Sequence, residues 1–332
     1  MTARQGLILS AYNAAPAIDG WDPGNEAVFL AGAAALPHVS GLEIPFYATG
    51  KLHKYDGDWF LRQVQCLPGH LSYTVTTIPD TMDQLTSSAA FGLASVVPEG
   101  KRAALARAAA AAQAVRTLNQ VLGRNAVRAV HLFSAPRPSA ATKNRPGSRA
   151  DASVKALANS LKELAQYDWD GARPVLEHCD AANRHHPPVK GFLPLEQEIE
   201  AVIAANTGAG ISLNWARSVI EDRDTSTPGR HMELALRSGV LAGVVLSGCS
   251  SRPTAFGEAW DDAHLPPGPV EPASLLTPQD IRNIAATLNK ATNGIKPGPY
   301  RGLKISAPQK SGVEQRLSLL ARSIDTVRRT GF

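Results

Sequence analysis

The chain has 332 residues, of which 44% are hydrophobic and 19% are charged, and 34 basic against 29 acidic residues give a formal net charge of +5. This composition is typical of a globular protein and excludes a disordered one, and no apolar run approaches the ~20 residues that span a bilayer. Because the first residues lack the apolar core of a signal peptide, we expect a cytoplasmic protein without membrane association.

The three cysteines, Cys66, Cys179 and Cys249, are far apart and form no CxxC pair, so we expect free thiols rather than disulfides or a zinc ribbon. Basic residues are concentrated in residues 124–149 and 296–332. The aromatic interleaving and the recognised modules of nucleic-acid-binding proteins are missing. A solvated surface or a small anionic ligand is therefore favoured, and a nucleic-acid partner is not expected.

Eight short apolar segments predict β-strands, and helical patterns separate them. Several strands are nearly continuous apolar runs, as expected for parallel strands that are buried on both faces. The predicted strands cover residues 6–12, 41–46, 71–78, 127–133, 173–178, 210–215, 241–247 and 300–306. The predicted helices cover residues 99–122, 151–166, 194–205, 277–290 and 312–329.

Helix boundaries carry local signals. The Ala-rich helix 99–122 ends at Gly123, Asp151 is a good N-cap for the next helix, and Thr277 precedes a proline at the first helical position of another.

Eight strand-helix units predict an α/β fold, a single (β/α)8 TIM barrel over residues 1–332. A doubly wound sheet is the alternative, but no GxGxxG follows the first strand. Long loops at about 134–150, 179–193 and 248–276 each follow a strand directly. In a barrel these loops lie on the C-terminal face, where active sites are built.

Strand five ends in Leu176-Glu177-His178. A carboxylate at this position projects into the barrel mouth, where Glu177 could bind a metal or transfer a proton. A structural ion pair at the rim is the alternative. His178 is a candidate substrate-binding residue in the same segment, although alternation along a strand directs neighbouring side chains to opposite faces.

Strand six ends in Asn214, Trp215 and Arg217, which offer an amide, an aromatic face of the kind that sugar rings stack on, and a guanidinium fork. This combination suggests recognition of a polar ligand. The alternative is that Trp215 fills the core and that Arg217 pairs with Glu221 one helical turn later.

Strand seven ends at Ser247, which precedes a glycine and could contribute to a nest for an oxyanion or a sugar hydroxyl. The loop that follows contains Glu258 and Trp260, two further substrate-binding candidates. It also contains Asp262 and His264, which could form a carboxylate-histidine pair.

Glu43 alternates with Leu42 and Ile44 in strand two, so we expect its side chain to face the barrel axis. A buried carboxylate needs a partner, and Lys304 in strand eight is one candidate. Lys304 could instead bind an anionic group or act as an amine.

The segments GLEIPF, Leu176-Glu177 and the loop from Asp262 to Pro266 resemble the xylose-isomerase-like TIM barrels, a superfamily of sugar isomerases, epimerases and endonuclease-IV-type enzymes. The segments NWARSVIEDRD, LAGVVLSGCS and FGEAWDDAHLPP resemble, more narrowly, a bacterial family of unknown function, DUF4862. The superfamily resemblance implies a divalent metal (Mn, Mg or Zn) held by four strand ends. Glu177 matches the first ligand, whereas Asn214, Ser247 and Lys304 match none of the others, so the metal is in doubt.

The resemblance implies isomerisation or epimerisation of a small, possibly anionic sugar by proton transfer beside a carbonyl. Glu177 would be the base, His264 a second acid/base oriented by Asp262, and Lys304 or Arg217 the cation that stabilises the enediolate. Two alternatives remain open at this point. One is a metal-free glycoside hydrolase or lyase that uses Glu177 with Glu43, Glu258 or Asp262; the other is a non-catalytic sugar-binding barrel. A homo-oligomer is compatible with either.

Overall fold

The computed structural model of the chain describes residues 6–138, 152–183, 185–291 and 298–332. Eight parallel strands close into a barrel in chain order, and β8 pairs with β1. This confirms the predicted (β/α)8 architecture. The strands are β1 (Leu7–Leu9), β2 (Val39–Pro45), β3 (Ser72–Thr76), β4 (Val127–Leu132), β5 (Arg173–Glu177), β6 (Gly210–Asn214), β7 (Leu241–Leu246) and β8 (Tyr300–Leu303).

The helices in the described residues surround the barrel, and the five predicted from sequence are present within a few residues of their expected ends. They are α1 (Pro23–Ala34), α2 (Gly57–Gln65), α3 (Ile78–Ser87), α4 (Pro98–Leu122), α5 (Val154–Leu164), α6 (Leu195–Ala205), α7 (Trp215–Asp222), α8 (Thr227–Arg237), α9 (Pro278–Ala291) and α10 (Val313–Arg329).

Capping residues explain several of the boundaries. Gly123 ends α4 with a φ of 64°, which favours glycine. The hydroxyl of Ser153 accepts the backbone N–H of Ala156 and begins α5. The predicted cap Asp151 and most of the predicted loop 134–150 lie outside the described residues.

Inside the N-terminal part of the barrel, small residues face one large aromatic ring. Tyr300 enters the interior from the start of β8, and its hydroxyl contacts His131 Nε2 at 2.5 Å. Gly243 makes room for that ring, since a Cβ there would lie 2.2 Å from the nearest ring carbon. Tyr300 therefore closes the barrel from below and provides a polar floor beneath the C-terminal mouth.

Within the ranges that the structure describes, none of the helices has the length and apolar character required to cross a membrane.

Candidate functional site

Charged and imidazole side chains from seven parts of the chain meet at the C-terminal mouth of the barrel. We call them the mouth cluster. Seven of the side chains are at most 7% exposed, and Lys190 is 13% exposed. The mouth cluster consists of Glu43, His131, Glu177, Lys190, Arg217, Asp262, His264 and Lys304.

His131 joins the two glutamates of the mouth cluster. Its Nδ1 lies 3.0 Å from Glu43 Oε1 and 3.5 Å from Glu177 Oε2. Burial by itself would lower the pKa of His131, but its contacts with Glu177 and Glu43 and their negative charge outweigh burial and raise the pKa to about 9. The imidazole is therefore a cation at neutral pH, held between two carboxylates above Tyr300.

Arg217 connects Glu177 with Asp262. Its Nη1 lies 2.9 Å from Glu177 Oε1, and its Nε donates to Asp262 Oδ2 at 2.9 Å. Burial opposes ionisation of Glu177, but Arg217, then Lys304 and His131, hold its pKa well below the usual range. The backbone positions the guanidinium, since Asn214 Oδ1 accepts the N–H of Arg217 and begins α7.

His264 is a neutral imidazole oriented by a carboxylate. Its Nδ1 lies 3.3 Å from Asp262 Oδ1, and burial, reinforced by nearby cations, lowers its pKa to about 3. Nδ1 faces Asp262 Oδ1 without forming a hydrogen bond, and a neutral imidazole with its proton on Nδ1 would carry its lone pair on Nε2. Two hydrogen bonds between the backbones of Gly248 and Leu265 fix this part of the loop.

Lys304 extends the ladder beyond β8, where its N–H donates to Leu246 O. Its ammonium lies 3.3 Å from Glu43 Oε2, as the sequence led us to expect, and 5.2 Å from the ring centre of Tyr12. Burial would lower the pKa of Lys304, but Glu43, followed by Tyr12 and Glu177, raises it above the ordinary value. Lys304 is thus a permanent cation and does not serve as a free amine at neutral pH.

A cavity of about 490 Å³ reaches the mouth cluster at Tyr12 and Glu43. Its other walls are mainly apolar and aromatic, with Phe29, Trp59 and Phe60 among them. Its volume falls within the range of ~300–1,000 Å³ that is typical of small-molecule sites.

Several buried atoms of the site have no hydrogen bond among the described residues. They include both carboxylate oxygens of Glu177, Lys304 Nζ, Asn214 Nδ2 and Asp262 Oδ1. Ion-pair contacts surround most of them, but buried polar atoms are usually also hydrogen-bonded. A polar ligand would supply the missing partners.

The structure does not bring four predicted binding residues into the mouth cluster. Trp215 is 2% exposed within the hydrophobic core, because it is the first residue of α7 and strand alternation does not apply to it. Trp260 lies over Arg223 at 5.3 Å, and Glu258 is exposed. The fourth is His178, which follows Glu177 and points out of the barrel, where its ring contacts Glu198 and Glu221. The substrate-binding role of these four residues therefore stays a prediction that the mouth cluster does not support.

Asn214 and Ser247 lie at adjacent strand ends and bind each other, since Ser247 Oγ donates to Asn214 Oδ1 at 2.8 Å. The alternative pairing of Arg217 with Glu221 is not formed; Glu221 instead accepts from His178 and the N–H of Ala181. In the pair formed by Asn214 and Ser247, the amide nitrogen Nδ2 of Asn214 has no hydrogen-bond partner among the described residues.

Three residues of the site were not predicted. His131 had a usable signal, because it alternates with Val130 and Leu132 in an apolar strand and so faces the axis. Tyr12 and Lys190 had none, since Tyr12 lies in a short 3-10 helix (Ala11–Ala14) after β1 and Lys190 lies in a loop. Lys190 Nζ reaches Asp262 Oδ2 at 2.9 Å, across 72 positions of sequence.

The mouth cluster does not fit the divalent metal of the superfamily. The four strand ends that would hold the metal are those of β5, β6, β7 and β8. They provide the carboxylate of Glu177, the amide of Asn214 and the hydroxyl of Ser247, which bind each other, and the ammonium of Lys304. Glu43, His131 and Glu177 could direct three ligand atoms to one point, but Lys304 and Arg217 already pair with those carboxylates. A hard cation prefers several free oxygen ligands and would be repelled by these neighbours.

The closed barrel of eight parallel strands has the xylose-isomerase-like TIM-barrel fold. Such a barrel from Mycobacterium smegmatis, in complex with magnesium, has a TM-score of 0.54 and 10% identity, with 99% of this chain and 98% of that chain covered. The 3-keto-D-glucoside 4-epimerase YcjR from E. coli has a TM-score of 0.54 and 11% identity, with 97% and 99% covered. The chain belongs to the family described as "Domain of unknown function (DUF4862)", whose model matches residues 8–319. Uncharacterized protein STM3670 of Salmonella typhimurium is 33% identical over 284 residues, 86% of each chain.

Proposed function

We propose that the protein is a sugar isomerase or epimerase that transfers a proton beside a carbonyl and uses buried cations in place of a divalent metal. The observation that carries this proposal is the Lys304 ammonium, 3.3 Å from Glu43 at a strand end that holds a metal ligand in the superfamily. A fixed cation beside a substrate oxygen can stabilise an enediolate, as a metal does elsewhere.

The charge of the mouth cluster supports an anionic intermediate. Its three carboxylates face three basic side chains, those of Lys190, Arg217 and Lys304, so the protonated His131 leaves one net positive charge in a buried volume. A divalent metal would increase this unbalanced charge, whereas one enediolate or sugar carboxylate would neutralise it. Because buried unbalanced charge is costly, the cluster favours a ligand that is or becomes singly negative.

Two groups are suited to move the proton. Glu177 is ionised, and Arg217 lowers the pKa of this carboxylate. If a substrate oxygen replaced Glu177 as the partner of Arg217, Glu177 would become a stronger base. His264 would keep a lone pair on Nε2 while its other nitrogen faces Asp262. The two therefore suit a base and a second acid/base, and Lys304 or Arg217 would stabilise the charge that develops.

The substrate class follows from the neighbours and the cavity. The epimerase neighbour acts on a 3-keto-D-glucoside, as its name states, which makes a keto sugar the first candidate. The apolar wall at Phe29 and Trp59 would accept a substituent larger than hydroxyl. A keto sugar, with or without a carboxylate, is the proposed ligand.

Hydrolysis by paired carboxylates has less support. A glycosidase needs the scissile bond between its two carboxyl groups. His131 lies between Glu43 and Glu177, and Arg217 lies between Glu177 and Asp262. A non-catalytic sugar-binding barrel remains the second candidate, because the closed network of ion pairs would also serve a ligand that binds without turnover.

Proton exchange measured by NMR in D₂O tests the proposal. The wild type should incorporate deuterium beside the carbonyl of at least one member of a panel of ketohexoses, 3-ketoglucosides and keto acids of sugars. Glu177→Gln should lower this rate by about 10²–10⁴-fold, the usual contribution of a positioned acid or base. Glu200→Gln, an exposed position on α6, is the matched control and should exchange like the wild type. Binding without exchange would favour the non-catalytic alternative.

A further inference from the structure

A second group of imidazoles and carboxylates lies outside the barrel wall. We call it the outer cluster: His178 after β5, Glu198 on α6, Glu221 on α7 and His231 on α8. It is separate from the mouth cluster, because His178 and Glu177 are consecutive and point to opposite sides of the strand. No proposed step of proton transfer uses it.

Three side chains of the outer cluster converge on one point. His178 Nε2 lies 3.0 Å from Glu221 Oε2, and His231 Nε2 lies 4.0 Å from Glu221 Oε1. One ligand atom from each of the three residues lies within 4.8 Å of the others. Tetrahedral zinc with bonds of about 2.0–2.2 Å separates its ligands by about 3.3 Å. A shift of His231 on the order of 1–1.5 Å would bring its Nε2 to that spacing from the other two ligand atoms.

The other nitrogen of each imidazole is held in place by a neighbour. His178 Nδ1 contacts Glu198 Oε2 at 2.7 Å, and His231 Nδ1 contacts Ser218 Oγ at 3.1 Å. A metal-ligating histidine nearly always has such a second partner, often a carboxylate, which fixes the ring and its tautomer. Both rings of the outer cluster are thus oriented with Nε2 toward Glu221.

We propose that His178, Glu221 and His231 bind a zinc ion, with Glu198 and Ser218 orienting the two imidazoles. Two imidazole nitrogens and one carboxylate are typical zinc ligands, and a water would take the fourth position. The Glu221 side chain is 14% exposed and that of His231 10%, which leaves a path for the ion and the water. The two carboxylates would balance the charge of a divalent cation, and the nearby Asp222 is already paired with Arg230.

The zinc ion would connect three elements that position the mouth cluster. His178 adjoins Glu177, Glu221 lies on the same helix as Arg217, and His231 lies on α8, which packs against α7. The outer cluster and the mouth cluster lie on opposite sides of the end of β5, so the proposed role of the zinc ion is to fix α7 and α8 against that strand end.

Zinc titration of the metal-stripped full chain tests this site. We expect calorimetry to give one equivalent of zinc per chain, and X-ray absorption of the one-equivalent sample to show two imidazoles and no sulfur. His231→Gln should weaken binding by about 100-fold or more, since loss of an outer-shell partner alone costs about 10–100-fold. His70→Gln, an exposed histidine, is the matched control and should bind like the wild type.

Three results would overturn the proposal: no one-equivalent site in the wild type, a spectrum with fewer than two imidazoles, or unchanged affinity in His231→Gln. The alternative grouping of Glu43, His131 and Glu177 would supply a single imidazole, so the spectrum distinguishes the two locations. If His231→Gln does not fold, the spectrum of the wild type and the affinity of Glu221→Gln decide. Failure of the zinc site would leave the proton-exchange result unaffected.

Discussion

Replacing Lys304 with methionine removes the ammonium that pairs with Glu43 and keeps most of the side-chain volume. At 3.3 Å and an effective dielectric constant of ~20, the Coulomb attraction within this pair is about 5 kcal/mol. Both side chains are at most 2% exposed, so water cannot replace the lost partner. Breaking a buried ion pair costs about 3–5 kcal/mol, and we expect Lys304→Met to lower the free energy of unfolding by that amount.

Urea unfolding followed by circular dichroism provides the measurement, and a double-mutant cycle isolates the pair. Glu43→Gln keeps an oxygen for His131 but removes the charge, so Lys304→Met with Glu43→Gln should recover at least half of the loss. Arg329→Met is the matched control, because its pair with Asp325 is exposed and should contribute at most about 1 kcal/mol. A loss below about 1 kcal/mol for Lys304→Met, or strictly additive effects in the double variant, would refute the reasoning.

Three further predictions follow from the packing and the pKa shifts. Trp215→Ala should lower the free energy of unfolding by about 3–5 kcal/mol and Trp260→Ala by much less; equal effects in urea unfolding would contradict the core position of Trp215. The folded-state pKa of His131, raised to about 9, contributes stability below pH ~6.5 that is lost as pH rises through 9. Urea midpoints should therefore fall more between pH 6 and 9.5 in the wild type than in His131→Gln, and parallel declines would count against the shift. Gly243→Ala should cost about 1–3 kcal/mol because the new methyl overlaps the Tyr300 ring, and an unchanged urea midpoint would contradict that contact.

The barrel could be predicted from sequence because its parallel strands are buried on both faces and so form recognisable apolar runs. The inward direction of the Glu43 side chain was predicted because successive side chains along a strand point to opposite faces. The same rule applied to Val127–Leu132 would have predicted that His131 faces the barrel axis. The short helices at the ends of strands were harder to predict. Trp215 was misplaced because the chain changes from strand to helix at Asn214.

The partners within the mouth cluster could not be predicted from local patterns. Arg217 binds Glu177 and Asp262, which are 40 and 45 positions away, and Lys190 binds Asp262 from a different loop. Such contacts depend on where the loops of a closed barrel meet. Local spacing offered Glu221 as an alternative partner of Arg217, but Glu221 pairs with the buried His178, whose other ring nitrogen contacts Glu198.

The dependence of proton exchange on a chelator tests the central claim most directly. The exchange rate of the active sugar would be measured by NMR in D₂O with EDTA, without it, and with EDTA followed by excess Mn²⁺ or Mg²⁺. Circular dichroism would confirm that the chain remains folded. Cationic stabilisation by Lys304 and Arg217 predicts that added Mn²⁺ or Mg²⁺ does not raise the rate measured in EDTA, whether or not removal of zinc from the outer cluster has lowered that rate. A rate that EDTA abolishes and Mn²⁺ or Mg²⁺ restores in the folded protein would contradict the account.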